Sequence, residues 1–81
     1  MSLKLKIVTP EKVAYDGEAT SVFVPGTLGQ FEILDNHAPI ISTLVEGDIK
    51  YTMPAGDMAE MHVHAGFVSV KKNEVNVCVE V

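Results

Sequence analysis

Hydrophobic and polar residues alternate along most of this chain. The clearest run covers 75–81, where a valine occupies every second position and polar or small residues lie between. The same alternation covers 3–7 and 59–64. A period of two places one set of side chains in the interior and the other in solvent. No long segment carries the apolar stripe of a helix, so the pattern predicts an all-β chain.

Glycine, proline and asparagine interrupt the alternation at short intervals, and short strands separated by such turns are typical of a sandwich or barrel. Lys72-Asn73 is predicted to form a tight hairpin turn, because asparagine tolerates the left-handed backbone region. We therefore predict a flattened antiparallel β-sandwich or barrel of about 8–10 short strands, forming a single domain over residues 1–81. The strands are expected near 3–8, 12–15, 19–24, 30–34, 40–45, 48–53, 58–64, 66–71 and 74–80.

Composition excludes several functions. The chain has 6 basic and 11 acidic residues, no arginine, and a net charge of -5. Nucleic-acid binding is therefore not expected, since it requires clustered basic side chains, whereas an acidic domain can complement a basic partner surface. The single cysteine, Cys78, forms no intramolecular disulfide. No signal peptide or spanning segment is recognisable, so we expect a soluble, intracellular chain without direct membrane insertion that can sit against a membrane complex.

The segment from Pro25 to Pro39, PGTLGQFEILDNHAP, is the most distinctive in the chain. Turn signals at Pro25-Gly26 and Asp35-Asn36 bracket a short apolar run. The segment lacks the Gly-Lys-Ser/Thr ending of a phosphate-binding loop. We expect Pro25, Gly26 and Pro39 to shape the loop, with glycines in conformations that a side chain would strain.

Two side chains of this segment are candidates for contact rather than catalysis. Leu28, flanked by turn residues, is expected to be exposed at the loop tip. A general base at His37 would need a nucleophile and an orienting carboxylate, and Ser42, in a predicted strand, has no group to activate it. His37 is instead expected to hydrogen-bond loop backbone or to face a partner. The sequence thus indicates no catalytic residue and no cofactor.

His62 and His64 form an alternative site. They are two residues apart on a predicted strand and therefore share a face. Two imidazoles on one face can begin a zinc site, and Glu60 lies on the same face as a possible third ligand. The alternative interpretation is three polar residues on a solvated strand face. A stand-alone sandwich that binds a metal or small ligand here is the second functional hypothesis.

Several short motifs together carry a family resemblance. They are Ile7-Val8-Thr9-Pro10-Glu11, Pro25-Gly26, Gly29, Phe31, Ile33-Leu34, Asn36-His37-Ala38-Pro39, Leu44, Gly47 and Gly66-Phe67-Val68. In this order they resemble the N-terminal domain of the epsilon subunit of F-type ATP synthase. The resemblance covers residues 3 to about 80, and the Asn-His-Ala-Pro segment with its flanking residues is its most specific part.

The resemblance implies a non-catalytic rotor subunit with a flattened β-sandwich fold and no cofactor. Such a subunit belongs to the central stalk, packs on the gamma subunit and rests on the polar loops of the membrane c-ring. It couples hydrogen ion transport through the ring to ATP synthesis. The implied location is peripheral, on the cytoplasmic side of a bacterial plasma membrane or on an equivalent energy-transducing membrane.

The resemblance also implies which residues contact the ring. The loop that matches Leu28, Gly29 and Gln30 faces the c-ring in the family, and His37 matches a loop histidine near the same base of the sandwich. Phe31 is expected to pack behind the loop. The position of Gln30 is often acidic in the family, whereas here it is a neutral amide, so a contact without an ion pair is expected.

The C-terminus differs from the usual family pattern. Family members usually continue into a two-helix domain that can restrain ATP hydrolysis and in some members binds ATP. This chain ends at Val81. If 81 residues is the native length, helix-based inhibition and ATP sensing are absent; if the chain is an excised domain, nothing follows about regulation.

Overall fold

The computed structural model of the protein describes residues 2–81, and the described part is built from strands and turns. The nine strands are β1 (Leu3–Val8), β2 (Val13–Ala19), β3 (Ser21–Gly26), β4 (Gly29–Leu34), β5 (Ile40–Leu44), β6 (Gly47–Thr52), β7 (Met58–Val63), β8 (Ala65–Lys71) and β9 (Glu74–Glu80). Over residues 2–81, no helix of the length and apolar character needed to cross a membrane is found. The prediction of an all-β fold with about 8–10 short strands is confirmed.

The strands form one continuous sheet that curls into two layers. One layer has the order β2-β1-β9-β8-β5, and the other has the order β4-β3-β6-β7. A single residue pair, Gly26 with Leu44, joins β3 to β5 and so connects the layers. All neighbours are antiparallel except β1 and β9. That parallel pair departs from the predicted antiparallel sheet, and it is possible because no short hairpin joins the first and last strands.

The core lies between the two layers and consists of the inward half of each alternating strand. Fully buried residues of the first layer include Leu5, Ile7 and Val77, and Ile33 and Ile49 come from the second. Each such side chain contributes about 1.5–3 kcal/mol relative to an exposed one. Among the described residues, no buried side-chain nitrogen or oxygen lacks a hydrogen-bond partner. The hydrophobic alternation in the sequence therefore corresponds directly to the interior of the sandwich.

Two turns adopt the backbone conformation that the sequence predicts. Lys72 and Asn73, between β8 and β9, have φ angles of 50° and 63°. Positive φ at both central residues is what a two-residue hairpin of type I′ requires. Asn36, in the Asp35-Asn36 turn, also has a φ of 63°. Asparagine tolerates this region better than most residues, which explains its place in both turns.

The predicted turn at Pro25-Gly26 is wrong. Both residues are buried and belong to β3, and the turn falls on Thr27-Leu28. β3 pairs with β6 up to Phe23 and with β5 at Gly26. Pro25 lies in the gap between these pairings, where its missing N–H leaves no ladder hydrogen bond broken. A proline is therefore accommodated in an inner strand, which sequence rules disfavour.

Strand β2 also differs from its predicted limits. It extends to Ala19, whereas the sequence predicted an end at residue 15. The signal for an early end was Gly17, which instead pairs with Leu5 of β1. Pairing with a neighbouring strand here overrides the local tendency of glycine to interrupt a strand.

Candidate functional site

The β3–β4 hairpin carries the most exposed large apolar residue of the described chain. Its two-residue turn, Thr27-Leu28, is closed by the pairing of Gly26 with Gly29. Leu28 has a relative exposure of 103%, so its side chain contacts none of the sandwich. Gly29 and Gln30 are also exposed. The expected exposure of Leu28 is confirmed, and we name the Thr27–Gln30 segment the tip.

Gly26 and Gly29 are needed at the tip for different reasons. Gly29 has a φ of 128°, a backbone region that L side chains rarely adopt. Gly26 has no such angle, but a Cβ atom there would lie 2.8 Å from both the Gly29 carbonyl oxygen and the Phe31 ring. The expectation of strained glycine conformations thus holds for Gly29, whereas Gly26 permits a close approach of the chain to itself.

The tip is fixed to the neighbouring strand β5 by hydrogen bonds. The Thr27 backbone N–H donates to the Thr43 carbonyl oxygen at 3.1 Å, and the two threonine hydroxyls are 2.6 Å apart. Two residues further along each segment, the Val45 N–H donates to the Pro25 carbonyl oxygen at 2.9 Å. Leu28 is therefore presented on an anchored turn. Ordering such a turn before binding reduces the entropy lost on association.

Phe31 lies behind the tip and connects it to His37. Its ring is half-buried, packs against the core and contacts the Gly26 backbone region. The Phe31 and His37 ring centroids are 6.5 Å apart. The expected position of Phe31 behind the loop is confirmed. The structure therefore brings the two predicted contact regions, the tip and His37, to the same end of the sandwich.

The His37 side chain is held by the backbone of its own loop. Its Nδ1 is 2.8 Å from the Ala38 carbonyl oxygen. Because a carbonyl only accepts, Nδ1 carries the proton in this contact and Nε2 is the acceptor of the neutral ring. The expectation that His37 hydrogen-bonds loop backbone is confirmed. Pro39, which follows Ala38, is exposed and is the last residue before β5.

The His37 loop is clipped to the β8–β9 hairpin. The Asn36 N–H donates to the Asn73 Oδ1 atom at 2.6 Å. Both asparagines have positive φ. The Asn36 turn contributes a backbone N–H to the contact, and the Asn73 turn contributes a side-chain oxygen. This clip fixes a loop without regular structure to the rigid sheet, and it could not be read from the sequence because the two residues are far apart in the chain.

Two exposed apolar residues near the tip were missed by sequence reasoning. Ile41 on β5 is 80% exposed, and Phe67 on β8 is 48% exposed. Thr43 pairs with Phe67 across the β5–β8 ladder. Ile41 and Thr43 point to the same side of β5 because strand residues two apart share a face. A shallow apolar groove accordingly runs between the tip and Ile41. The sequence signal for this exposure was the Ile40-Ile41 doublet. Adjacent strand residues face opposite sides of a sheet, so one of the two isoleucines had to point outward.

The predicted histidine site is assembled with a different third residue. His62 and His64 do lie together, with ring centroids 5.6 Å apart. Glu60 was predicted to join them, but it instead faces Lys50, with a carboxylate–ammonium distance of 3.9 Å. Glu46 takes its place, with Oε2 at 3.1 Å from His62 Nε2. The error arises because the cross-strand register, which the sequence does not show, decides the neighbours.

The charge around His62 favours its protonated form. Asp48 Oδ1 is 2.9 Å from His62 Nδ1. Hydrogen bonds to Asp48 first and to Glu46 second raise the pKa of His62 above 6.5, against a small opposing desolvation. The imidazole is exposed, so the carboxylates rather than burial set its chemistry.

These features define a small β-sandwich that presents an exposed loop anchored by hydrogen bonds. At the tip and at His37, the hydrogen bonds run to backbone groups and to hydroxyls, an arrangement suited to recognition rather than to acid–base catalysis. Residues 2–81 match the family model for the ATP synthase, Delta/Epsilon chain, beta-sandwich domain. The chain belongs to this family, which confirms the resemblance drawn from its motifs.

Curated relatives agree with this assignment. The chain is 38% identical over 79 residues to the ATP synthase epsilon chain of Gloeothece citriformis (strain PCC 7424), covering 98% of this chain and 56% of the relative. It is 39% identical over 79 residues to that of Synechocystis sp. (strain PCC 6803), covering 98% and 57%. For Chlorobium limicola the identity is 36% over 73 residues, covering 90% and 83%. The chain thus spans a little over half the length of the first two relatives.

Solved structures confirm the fold. A chain in the Euglena gracilis mitochondrial ATP synthase structure, OSCP/F1/c-ring, superposes with a TM-score of 0.91 at 14% identity, covering 96% of this chain and 50% of that one. A chain in the Tetrahymena thermophila mitochondrial ATP synthase central stalk/c-ring structure gives a TM-score of 0.81 at 15% identity, covering 100% and 65%. At these identities, the likeness establishes the sandwich architecture and no more.

Proposed function

We propose that this chain acts as a non-catalytic central-stalk domain of an F-type ATP synthase. In this role it links the gamma subunit to the c-ring and couples proton translocation to ATP synthesis. Membership of the Delta/Epsilon family supports the proposal, as do relatives named ATP synthase epsilon chain. The proposed location is peripheral, on the membrane that carries the synthase.

The observation that carries the proposal is the fully exposed Leu28 on an anchored turn. A flexible loop would lose entropy when it docks, whereas this tip is already held to β5. An isolated apolar side chain on a rigid projection is suited to insertion between polar loops of a partner. We propose that Leu28, Gly29, Gln30 and His37 contact the c-ring.

The outer face beside the tip is the proposed gamma-facing surface. Ile41 and Phe67 are exposed there, and the face continues across β9 to Cys78, which pairs with Phe67 on one side and with Val8 on the other. Apolar residues in the centre of a partner-facing patch are typical of protein interfaces. This surface adjoins the tip through the groove at Ile41, so one domain can contact two partners at once.

Replacement of Leu28 tests the proposal. Leu28→Asp leaves the sandwich intact, because the side chain contacts nothing within it. We expect weaker association with the c-ring by about 2 kcal/mol, or about 30-fold, as for a central interface anchor. The measurement is retention of the variant subunit, and proton-coupled ATP synthesis, in membranes that carry the assembled synthase.

Met58→Asp is the matched control. Met58 is 71% exposed on β7, the strand at the far end of the sheet from β2, and outside the tip. Like Leu28→Asp, it replaces an exposed apolar side chain with a carboxylate, and because it lies away from the tip it should leave retention and coupling unchanged. Normal retention and coupling in Leu28→Asp would show that the tip does not contact the ring.

A further inference from the structure

Three exposed side chains converge at the end of the β6–β7 hairpin. The Glu46 Oε2 atom is 3.1 Å from His62 Nε2 and 3.6 Å from His64 Nδ1. One ligand atom from each residue lies within 4.8 Å of the other two. Tetrahedral zinc, with bonds of about 2.0–2.1 Å, places its ligand atoms about 3.3–3.4 Å apart. The two Glu46 spacings lie close to this value and the third is no longer than 4.8 Å, so side-chain adjustment can bring all three ligand atoms onto one small cation.

The fold holds the backbone of this cluster in place. Asp48 pairs directly with His62, and Gly47 pairs with Val63. Because the strands are antiparallel, the next residue on one side, Glu46, lies beside the next residue on the other, His64. Val63, between the two histidines, is fully buried and anchors both. The His64 N–H donates to the Glu80 carbonyl oxygen at 2.8 Å, which fixes the end of this segment to the last strand.

Asp48 orients one of the two imidazoles. Its Oδ1 atom is 2.9 Å from His62 Nδ1, and a carboxylate accepts from Nδ1–H. That contact keeps a proton on Nδ1. In the metal-free chain the protonated ring also donates from Nε2 to Glu46, and a bound metal would take the place of the Nε2 proton. A carboxylate behind a histidine is the usual support of a metal-bound imidazole.

We propose that Glu46, His62 and His64 bind a zinc-class divalent transition metal. Two imidazole nitrogens and one carboxylate oxygen are ligands suited to zinc, whereas magnesium and calcium take oxygen ligands. The three side chains are exposed, so the metal keeps an open position. Water, or a side chain of an adjoining subunit, completes the coordination there. The site is separate from the tip and from His37, and it does not depend on the role proposed for them.

Titration of the full 81-residue chain with zinc chloride tests the site. Isothermal calorimetry should give a saturable one-to-one signal that an excess of magnesium does not abolish. His62→Ala and His64→Ala should each remove most of the affinity. Asp48→Asn should weaken binding by about 10–100-fold, since it removes the orienting group without removing a ligand. Cobalt(II) in place of zinc should give the visible absorption of a low-coordinate site.

His37→Ala is the matched control, because His37 lies on a different loop and its ring bonds to Ala38. It should leave the zinc affinity unchanged. Circular dichroism of each variant confirms that the exposed substitutions leave the fold intact. Absence of saturable binding by the wild-type chain, or an equal loss in His37→Ala, would overturn the proposal. Unchanged affinity in both His62→Ala and His64→Ala would do so as well.

Discussion

At the scale of single residues, the surface chemistry of this chain is set by neighbours across a strand pair. His62 is the clearest example, since Asp48 and Glu46 both come from the adjacent strand or the turn before it. Leu28 is the opposite case, a side chain exposed to solvent at the end of its hairpin. Sequence reasoning found both residues because their local patterns are distinctive. It named the wrong carboxylate beside His62 because register is a property of the folded sheet.

The protonation of His62 gives a prediction at this scale. The two carboxylates raise its pKa above 6.5, so Asp48→Asn should lower it, because Asp48 is the largest cause. Since the folded pKa is raised, protonated His62 contributes stability fully below about pH 6.5, and that contribution is lost as pH rises through the folded pKa. NMR titration of the metal-free imidazole resonances measures the shift directly.

Asp57→Asn serves as the control for this titration. Asp57 lies five residues before His62 in the chain. At ~3.3 Å per strand residue, the two residues are about 16 Å apart along β7. The same loss of charge at that distance is largely screened. The interpretation would be contradicted by a His62 pKa at or below 6.5 in the wild type, or by equal shifts in the two variants.

At the scale of elements, the two hairpin turns decide how the candidate loop is held. The Lys72-Asn73 turn supplies both a type I′ backbone and the Oδ1 acceptor for Asn36. The Asp35-Asn36 turn supplies the N–H donor and leads directly into His37. A turn that was predicted only for its backbone therefore also holds the loop of His37, a proposed contact residue, by a hydrogen bond between distant parts of the chain.

Substitutions at Asn73 separate these two roles. Asn73→Gly keeps the backbone freedom and loses the hydrogen bond, so it should cost about 1 kcal/mol of unfolding free energy. Asn73→Ala loses both and should cost roughly 2 kcal/mol, because alanine is also strained at positive φ. Urea unfolding followed by circular dichroism measures both values.

The clip to the His37 loop has its own measurement. Amide hydrogen exchange at Asn36 should accelerate in both variants, while exchange within β1 stays slow. An exposed replacement on the same hairpin, Glu74→Gln, is the control and should change stability by less than about 0.5 kcal/mol. Equal stability of Asn73→Ala and wild type would show that the clip contributes nothing.

At the scale of the whole molecule, the sequence predicted the sandwich because every layer follows one rule, a buried set alternating with an exposed set. Strand limits were less predictable where pairing overrides a local signal, as at Pro25 and Gly17. The candidate contact surface was predictable at Leu28 and only partly elsewhere. Ile41 and Phe67 join it through the β5–β8 ladder, which is formed by strands that are not consecutive.

The charge of the whole domain bears on how it meets its partners. The net charge is -5, yet the tip carries a neutral amide at Gln30. Contact at the tip should therefore rest on shape and apolar burial. Long-range attraction, by contrast, would come from the domain as a whole and weaken with salt.

Replacing Gln30 with glutamate distinguishes the local from the global effect. If the tip faces basic or polar loops, Gln30→Glu should strengthen retention on synthase membranes at low salt by about 0.2–1 kcal/mol, up to roughly fivefold. The gain should vanish near 0.5 M salt, where the screening length falls to about 4 Å. Ala55→Glu, in the exposed β6–β7 turn, adds the same charge away from the tip and should change retention much less at any salt concentration. Equal changes in retention for the two variants would mean that retention depends on the net charge of the domain and not on the position of the added glutamate. If the stronger retention of Gln30→Glu persisted at high salt, the new glutamate would not form an ionic contact, and its effect would come from its shape.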